Sequence, residues 1–155
     1  TIVAPMSAQM NPQVFLAIAT VAWANGDLSA DERAGILNAA RSVGYSEGDL
    51  GLLSKGIEMR RELSSLSLHR FSALDRVFAY AASEWLARLE GTVGTSEQAA
   101  LDALSDFLKI APDVRDEARA AVLEISRLPS GDRPERYDFL KLREVLDGNM
   151  RARSR

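Results

Sequence analysis

Five carboxylates beside two glycines form the chain's most suggestive chemical grouping. Asp27, Asp31 and Glu32 follow Gly26, while Glu90 and Glu97 flank Gly91. Hard oxygen ligands of this kind suit calcium, magnesium or manganese. The chain has no cysteine and only one histidine, His69, so it offers no thiolate set for structural zinc and no thiol redox chemistry. A nucleophilic triad has no support either. His69 follows a serine-rich stretch and precedes Arg70, a surface setting, and no Ser/His/Asp spacing stands out. Paired acids such as Asp27 and Glu97 would need a pocket and shifted pKa values for acid–base work. The expectation is a protein that is not an enzyme, with Asp27, Asp31, Glu32, Glu90 and Glu97 as candidate ligands for a divalent cation.

A calcium loop of the EF-hand type places Gly at its sixth position and a bidentate Glu at its twelfth. Gly26 with Glu32 has that spacing, and so does Gly91 with Glu97. The first and third positions, which must supply oxygen ligands, are Val21 and Trp23 in one copy and Leu86 and Arg88 in the other. Neither loop can complete a calcium shell alone. Glu32 and Glu97 also have a simpler role, capping helix starts, and Asp27 and Asp31 suit the positive end of a helix dipole without any ion.

These acids need helices to hold them. Aligning Gly26 with Gly91 also aligns Ala22 with Ala87, Leu28 with Val93, Ala34 with Ala99 and Ile36 with Leu101. The chain therefore reads as an internal helix–turn–helix repeat. Asn11-Pro12 opens a first helix carrying Phe15, Ile18 and Ala22, which ends near Ala24 at Asn25-Gly26. Ser29 with Glu32 is a capping box opening a second helix, closed by Gly44; Ser46 with Asp49 opens a third through Leu50 and Leu53 toward Met59. Arg60 to Leu68 reads as a turn or short segment. Leu74, Val77, Phe78, Ala81, Trp85 and Leu89 predict a long central helix over 71–89. Leu101, Leu104, Phe107 and Leu108 mark the next helix. Ala111-Pro112-Asp113 opens another with Val114, Ala118, Val122 and Ile125 on one face. Pro129-Ser130-Gly131 breaks it, and Asp132 with Pro134 opens the last, through Tyr137, Leu140, Val145 and Leu146 to Gly148.

No stretch alternates with a period of two, so the fold class is all-α: one compact bundle of about seven to eight helices over 11–148, with 1–10 and 149–155 as flexible ends. At 155 residues and 46% apolar content, the chain can bury roughly 70% of its unfolded surface. A net charge of −3, mixed along the chain, gives no reason to expect nucleic acid. No apolar run is long enough to span a membrane. The absence of cysteine fits the cytoplasm.

The first turn, Ala24-Asn25-Gly26-Asp27-Leu28-Ser29-Ala30-Asp31-Glu32, resembles turns of the tellurite-resistance TerB-like family. That family reads Ala-Asp-Gly, then an apolar residue two positions on, then an acidic helix start with Glu. The likeness covers about Gln13 to Val122. It implies an internally duplicated all-helical fold, an acidic cluster proposed to chelate divalent metal, and a setting of metal or chemical stress. The motif's Asp before Gly is Asn25 here and Glu90 in the second copy, so a charged ligand is missing from the first turn. The reading that follows is a non-enzymatic binding module. It would hold a divalent ion weakly at Asp27, Asp31, Glu32, Glu90 and Glu97, dock a partner protein, or do both. The alternative is a helical adaptor with no ion site, working through an apolar groove beside the 71–89 helix; exposure of Trp85 or Phe78 would favour it.

Overall fold

Short polar residues set where the helices begin. The computed structural model describes residues 10–88, 93–127 and 137–153. α1 (Pro12–Ala22) opens with Asn11, whose Oδ1 accepts the Gln13 N–H at 2.9 Å, and with Pro12 where its missing N–H is harmless. It runs into a 3₁₀ turn, Trp23–Asn25, and stops at Gly26, whose φ of +96° suits only glycine without strain. α2 (Ala30–Ser42), α3 (Glu47–Ile57) and α4 (Ala73–Ala87) each open with a capping box: Ser29 with Glu32, Ser46 with Asp49, and Ser72 with Asp75. α5 (Thr95–Phe107), α6 (Pro112–Ser126) and α7 (Phe139–Arg153) complete the bundle. Among the described residues there are seven α-helices and no strand, so the protein is all-α.

The repeat extends further than one helix–turn–helix. A shift of 65 residues carries Ala30–Ser42 onto Thr95–Phe107, and carries Glu47, the start of α3, onto Pro112, the start of α6. The unit α1–α2–α3 is thus repeated as α4–α5–α6, and α7 is added to it. The closures repeat as well. α2 ends in a Schellman motif, with Tyr45 N–H bonded to Ala40 O and Gly44 N–H to Arg41 O. α5 ends in the same motif, with Ile110 N–H bonded to Ser105 O and Lys109 N–H to Asp106 O. The left-handed position is Gly44 in the first copy (φ +99°) and Lys109 in the second (φ +56°).

α4 is the hub and packs against α1, α2, α5, α6 and α7. Every residue from Val77 to Ala87 is buried, including Ser83 and Glu84, as befits a helix enclosed on all sides. Trp85 stacks on Tyr137 with centroids 4.3 Å apart and meets Phe139 at 5.2 Å; Phe78 meets Phe139 edge-on at 6.4 Å. Each fully buried Phe of this cluster contributes about 1.5–3 kcal/mol over an exposed one.

Three local expectations shift. α3 ends at Ile57, leaving Met59 exposed, whereas Arg60 to Leu68 holds a short turn as expected, a 3₁₀ turn at Leu63–Ser65, with a second at Leu68–Arg70. The last helix turns Phe139, Leu142 and Leu146 inward while Leu140 stays exposed. It also passes Gly148 and runs to Arg153, where an end was expected, because Arg153 reaches back to Asp113 and Glu117 on α6. The expected opening of that helix at Asp132 and Pro134 lies outside the described residues.

Candidate functional site

The acidic turns converge in part. α5 packs against α1 and the Trp23–Asn25 turn, which brings the start of α5 to the start of α2. Leu28 and Val93, equivalent in the two copies, both pack on the core. Glu32 is buried, and its Oε1 accepts the Ser29 N–H at 3.0 Å while the Ser29 hydroxyl accepts the Glu32 N–H at 3.0 Å. Burial pushes the Glu32 carboxyl above the usual carboxylate range. Its hydrogen bonds with Ser29 pull it back, and the charges of Glu97 and Asp27 push it up further. Glu97 sits at the third helical position of α5, equivalent to Glu32. Its N-cap is Gly94, which has no hydroxyl, so α5 has no capping box. Asp31 is exposed on the first turn of α2. Glu90 lies outside the described residues.

This corner does not fit a closed cation shell. Among the described residues, no three His, Asp or Glu side chains are grouped so as to hold a metal ion. One Glu32 oxygen already caps a helix. Glu32 feels the charges of Glu97 and Asp27, and such a set suits at most a largely hydrated ion of the magnesium kind, which needs only one or two carboxylates.

A second grouping was not singled out from sequence. The Tyr80 hydroxyl donates to Glu84 Oε1 at 3.0 Å and accepts from Arg115 Nε at 2.8 Å and Arg119 Nε at 3.1 Å. Glu84 has no exposed surface; Arg119 Nε lies 3.1 Å from its Oε1 and Arg88 Nη2 lies 3.4 Å from its Oε2. The Arg115 guanidinium also sits over the Tyr80 ring, 5.0 Å from its centroid, and reaches Asp102 at 2.5 Å. Burial raises the Tyr80 hydroxyl pKa, with the Arg115 hydrogen bond opposing and Glu84 adding. The hydrogen bond from Arg115, then that from Gln98, holds Asp102 below its ordinary value. The sequence signal of this network is a polar ladder, Tyr80, Glu84 and Arg88 at every fourth position along the mostly apolar second half of α4 and its C-cap, with Arg115 and Arg119 spaced to match on α6. The buried carboxylate is saturated by donors, so the set clamps α4 to α6 rather than presenting a reactive group.

The third grouping is a cleft of about 580 Å³, open to solvent. It lies between the start of α4, the α5–α6 link, the start of α6 and the end of α7. Val77, Ile110, Val114 and Met150 supply its apolar walls, and Arg76, Lys109 and Arg153 stand among its lining. It lies beside the start of the helix expected over 71–89, but it is not lined by Trp85 or Phe78, whose rings are buried. The cleft was not legible because it is made by helix ends distant in sequence.

Compared with protein-family models, with curated proteins and with solved structures, the chain matches none. Among the described residues no helix is long and apolar enough to cross a membrane.

Proposed function

We propose that this chain is a non-enzymatic binding module that docks a partner protein in the cleft where α4, α6 and α7 meet. The observation that carries this reading is the cleft itself: an open apolar depression within the ~300–1,000 Å³ range of binding pockets, on a rigid helical frame. The buried Glu84 and Glu32 carboxylates are each held by internal hydrogen bonds, and neither lines the cleft. The TerB-like character of the first turn supports a stress-response setting, and the lack of cysteine suits the cytoplasm. The test is a display selection of amphipathic helical peptides against the protein and against Ala73→Trp, which fills the cleft from an exposed position at the start of α4. Peptides enriched on the parent and lost on Ala73→Trp support docking there; equal enrichment on both places binding elsewhere.

A second reading has its own observation. The charges of Asp27 and Glu97 already raise the Glu32 carboxyl, so a cation at this corner would relieve repulsion. We propose at most weak binding of hydrated magnesium, calcium or manganese. Thermal unfolding of chelator-treated protein, titrated with each ion, tests it. A ligand at a hundred times its dissociation constant adds about 2.7 kcal/mol. A saturating rise that vanishes in Asp27→Asn/Glu97→Gln supports the ion; a flat response at millimolar ion ends the idea.

A further inference from the structure

We propose that the partner segment received by the cleft is an amphipathic helix carrying a carboxylate beside its apolar face, with Arg76 as the cation that receives it. This rests on the docking reading above and adds the partner's chemistry.

Three observations carry it. First, the cleft lining contains three basic residues and no acidic one, in a chain whose net charge is −3. Asp113 and Glu117 already neutralise Arg153, which leaves Arg76 and Lys109 as the cations that favour an acidic partner. Second, the cations differ in what they already hold. Arg153 is paired with Asp113 and Glu117. Arg76 has a buried Nε with no hydrogen-bond partner among the described residues. The Nε itself is covered, but the half-buried Arg76 carries no ion pair among the described residues, so the rest of its guanidinium is left to pair with a carboxylate arriving in the cleft. Third, Lys109 occupies a left-handed position that the equivalent residue of the first copy fills with Gly44. A lysine there is strained by about 1 kcal/mol or more relative to glycine. Strain of this kind marks sites kept for a purpose other than stability. Here it sets a cation among the cleft's lining residues.

The open form of the cleft favours a helix over a free amphiphile. Small-ligand pockets bury most of the ligand's surface, whereas an alkyl chain lying here would leave one side in water. A helix places two or three apolar side chains in the depression and covers it with its own backbone.

The experiment takes the peptides selected above and measures affinity by fluorescence anisotropy on the full chain. Sequences with Asp or Glu next to their apolar stripe are expected. Arg76→Met should weaken them roughly tenfold, a typical loss for one charge-assisted hydrogen bond. Arg76→Glu should restore binding to a peptide whose acid is exchanged for Lys, which separates charge recognition from misfolding. Lys109→Gly should raise the melting temperature yet weaken binding, the opposite of what a merely structural residue would do. Peptides that bind without any acid and ignore Arg76→Met would overturn the inference while leaving the docking reading intact. No enrichment over Ala73→Trp would overturn both. Decanoate binding where no peptide binds would assign the cleft to a free amphiphilic anion and overturn the helix.

Discussion

Removing the Glu84 carboxylate tests how α4 is held to α6. Glu84 is fully buried and meets Arg119 at 3.1 Å, Arg88 at 3.4 Å and the Tyr80 hydroxyl at 3.0 Å. Glu84→Ala leaves the hydroxyl and two guanidinium groups without that acceptor and opens a cavity. Breaking a buried ion pair from one side costs about 3–5 kcal/mol. Arg119 and Arg88 keep 35% and 38% of their side-chain surface exposed, so water can take over part of their hydration. The lower end, about 3 kcal/mol, is therefore expected. In a chain of this size that lowers the melting temperature by roughly 6–12 °C. Arg119→Met should cost less, because Arg88 and Tyr80 still serve the carboxylate. The double variant Glu84→Leu/Arg119→Met replaces the pair by apolar side chains, which is often close to neutral. The double-mutant cycle should then show a coupling of about 1–3 kcal/mol, measured by urea unfolding with unchanged m-values. Because the Glu84 end of the pair is buried, salt should screen the coupling less than it screens a surface pair. Additive single losses, each below about 0.5 kcal/mol, would refute the clamp and make Glu84 a tolerated passenger.

The two turns yield further predictions. Gly94→Ser should stabilise the protein by about a few tenths of a kcal/mol: Gly94 has extended φ −70° and ψ 165°, its new Cβ would meet Glu97 Oε1 at a comfortable 3.6 Å, and Glu97 is placed to complete a capping box. A fall in melting temperature would show that the start of α5 is held by other contacts. Glu32→Ala should lose about 1 kcal/mol with the capping box, whereas Glu32→Gln keeps the back-bond and sheds a buried charge. The folded-state pKa of Glu32 is raised, so the wild-type residue favours folding most below its ordinary value of 4.5 and loses that advantage as pH rises through the folded value. Glu32→Gln should therefore gain on the parent as pH increases from about 4 to 7; a constant gap across that range would contradict the assigned environment.

Local chemistry made most of the fold legible, and distance in sequence hid the rest. Asn11-Pro12, Ser29 with Glu32, Ser46 with Asp49 and the glycines at 26 and 44 act within a few residues, so each boundary they set can be read from neighbours. The register of α7 could not: Phe139 lies inward because Trp85 and Phe78 stand opposite, and Leu140 lies outward for the same reason. The same limit applies to sites. Acids beside a glycine are conspicuous in sequence, yet Glu32 serves chiefly as a cap. The ladder of Tyr80, Glu84 and Arg88 looks like an interruption of an apolar stripe until Arg115 and Arg119 are set against it. The cleft is made by helix ends drawn from three parts of the chain.

The repeat itself says where function has the most room to lie. Two copies of one fold unit, with the same Schellman closure, should differ least where both need stability alone. They differ at the start of α6, where the capping Ser46 becomes Ala111, and at both ends of α5. Ser29 of the first copy is Gly94 in the second, a weaker cap, and Gly44 is Lys109, a strained closure. Both changes sacrifice stability, and in opposite settings: one beside the acidic corner, the other lining the cationic cleft. A helix of 13 residues rises about 20 Å, so the two places are too far apart to be one site. Restoring Ser at 94 and Gly at 109 should therefore stabilise additively. Only the second change should touch peptide binding at the cleft.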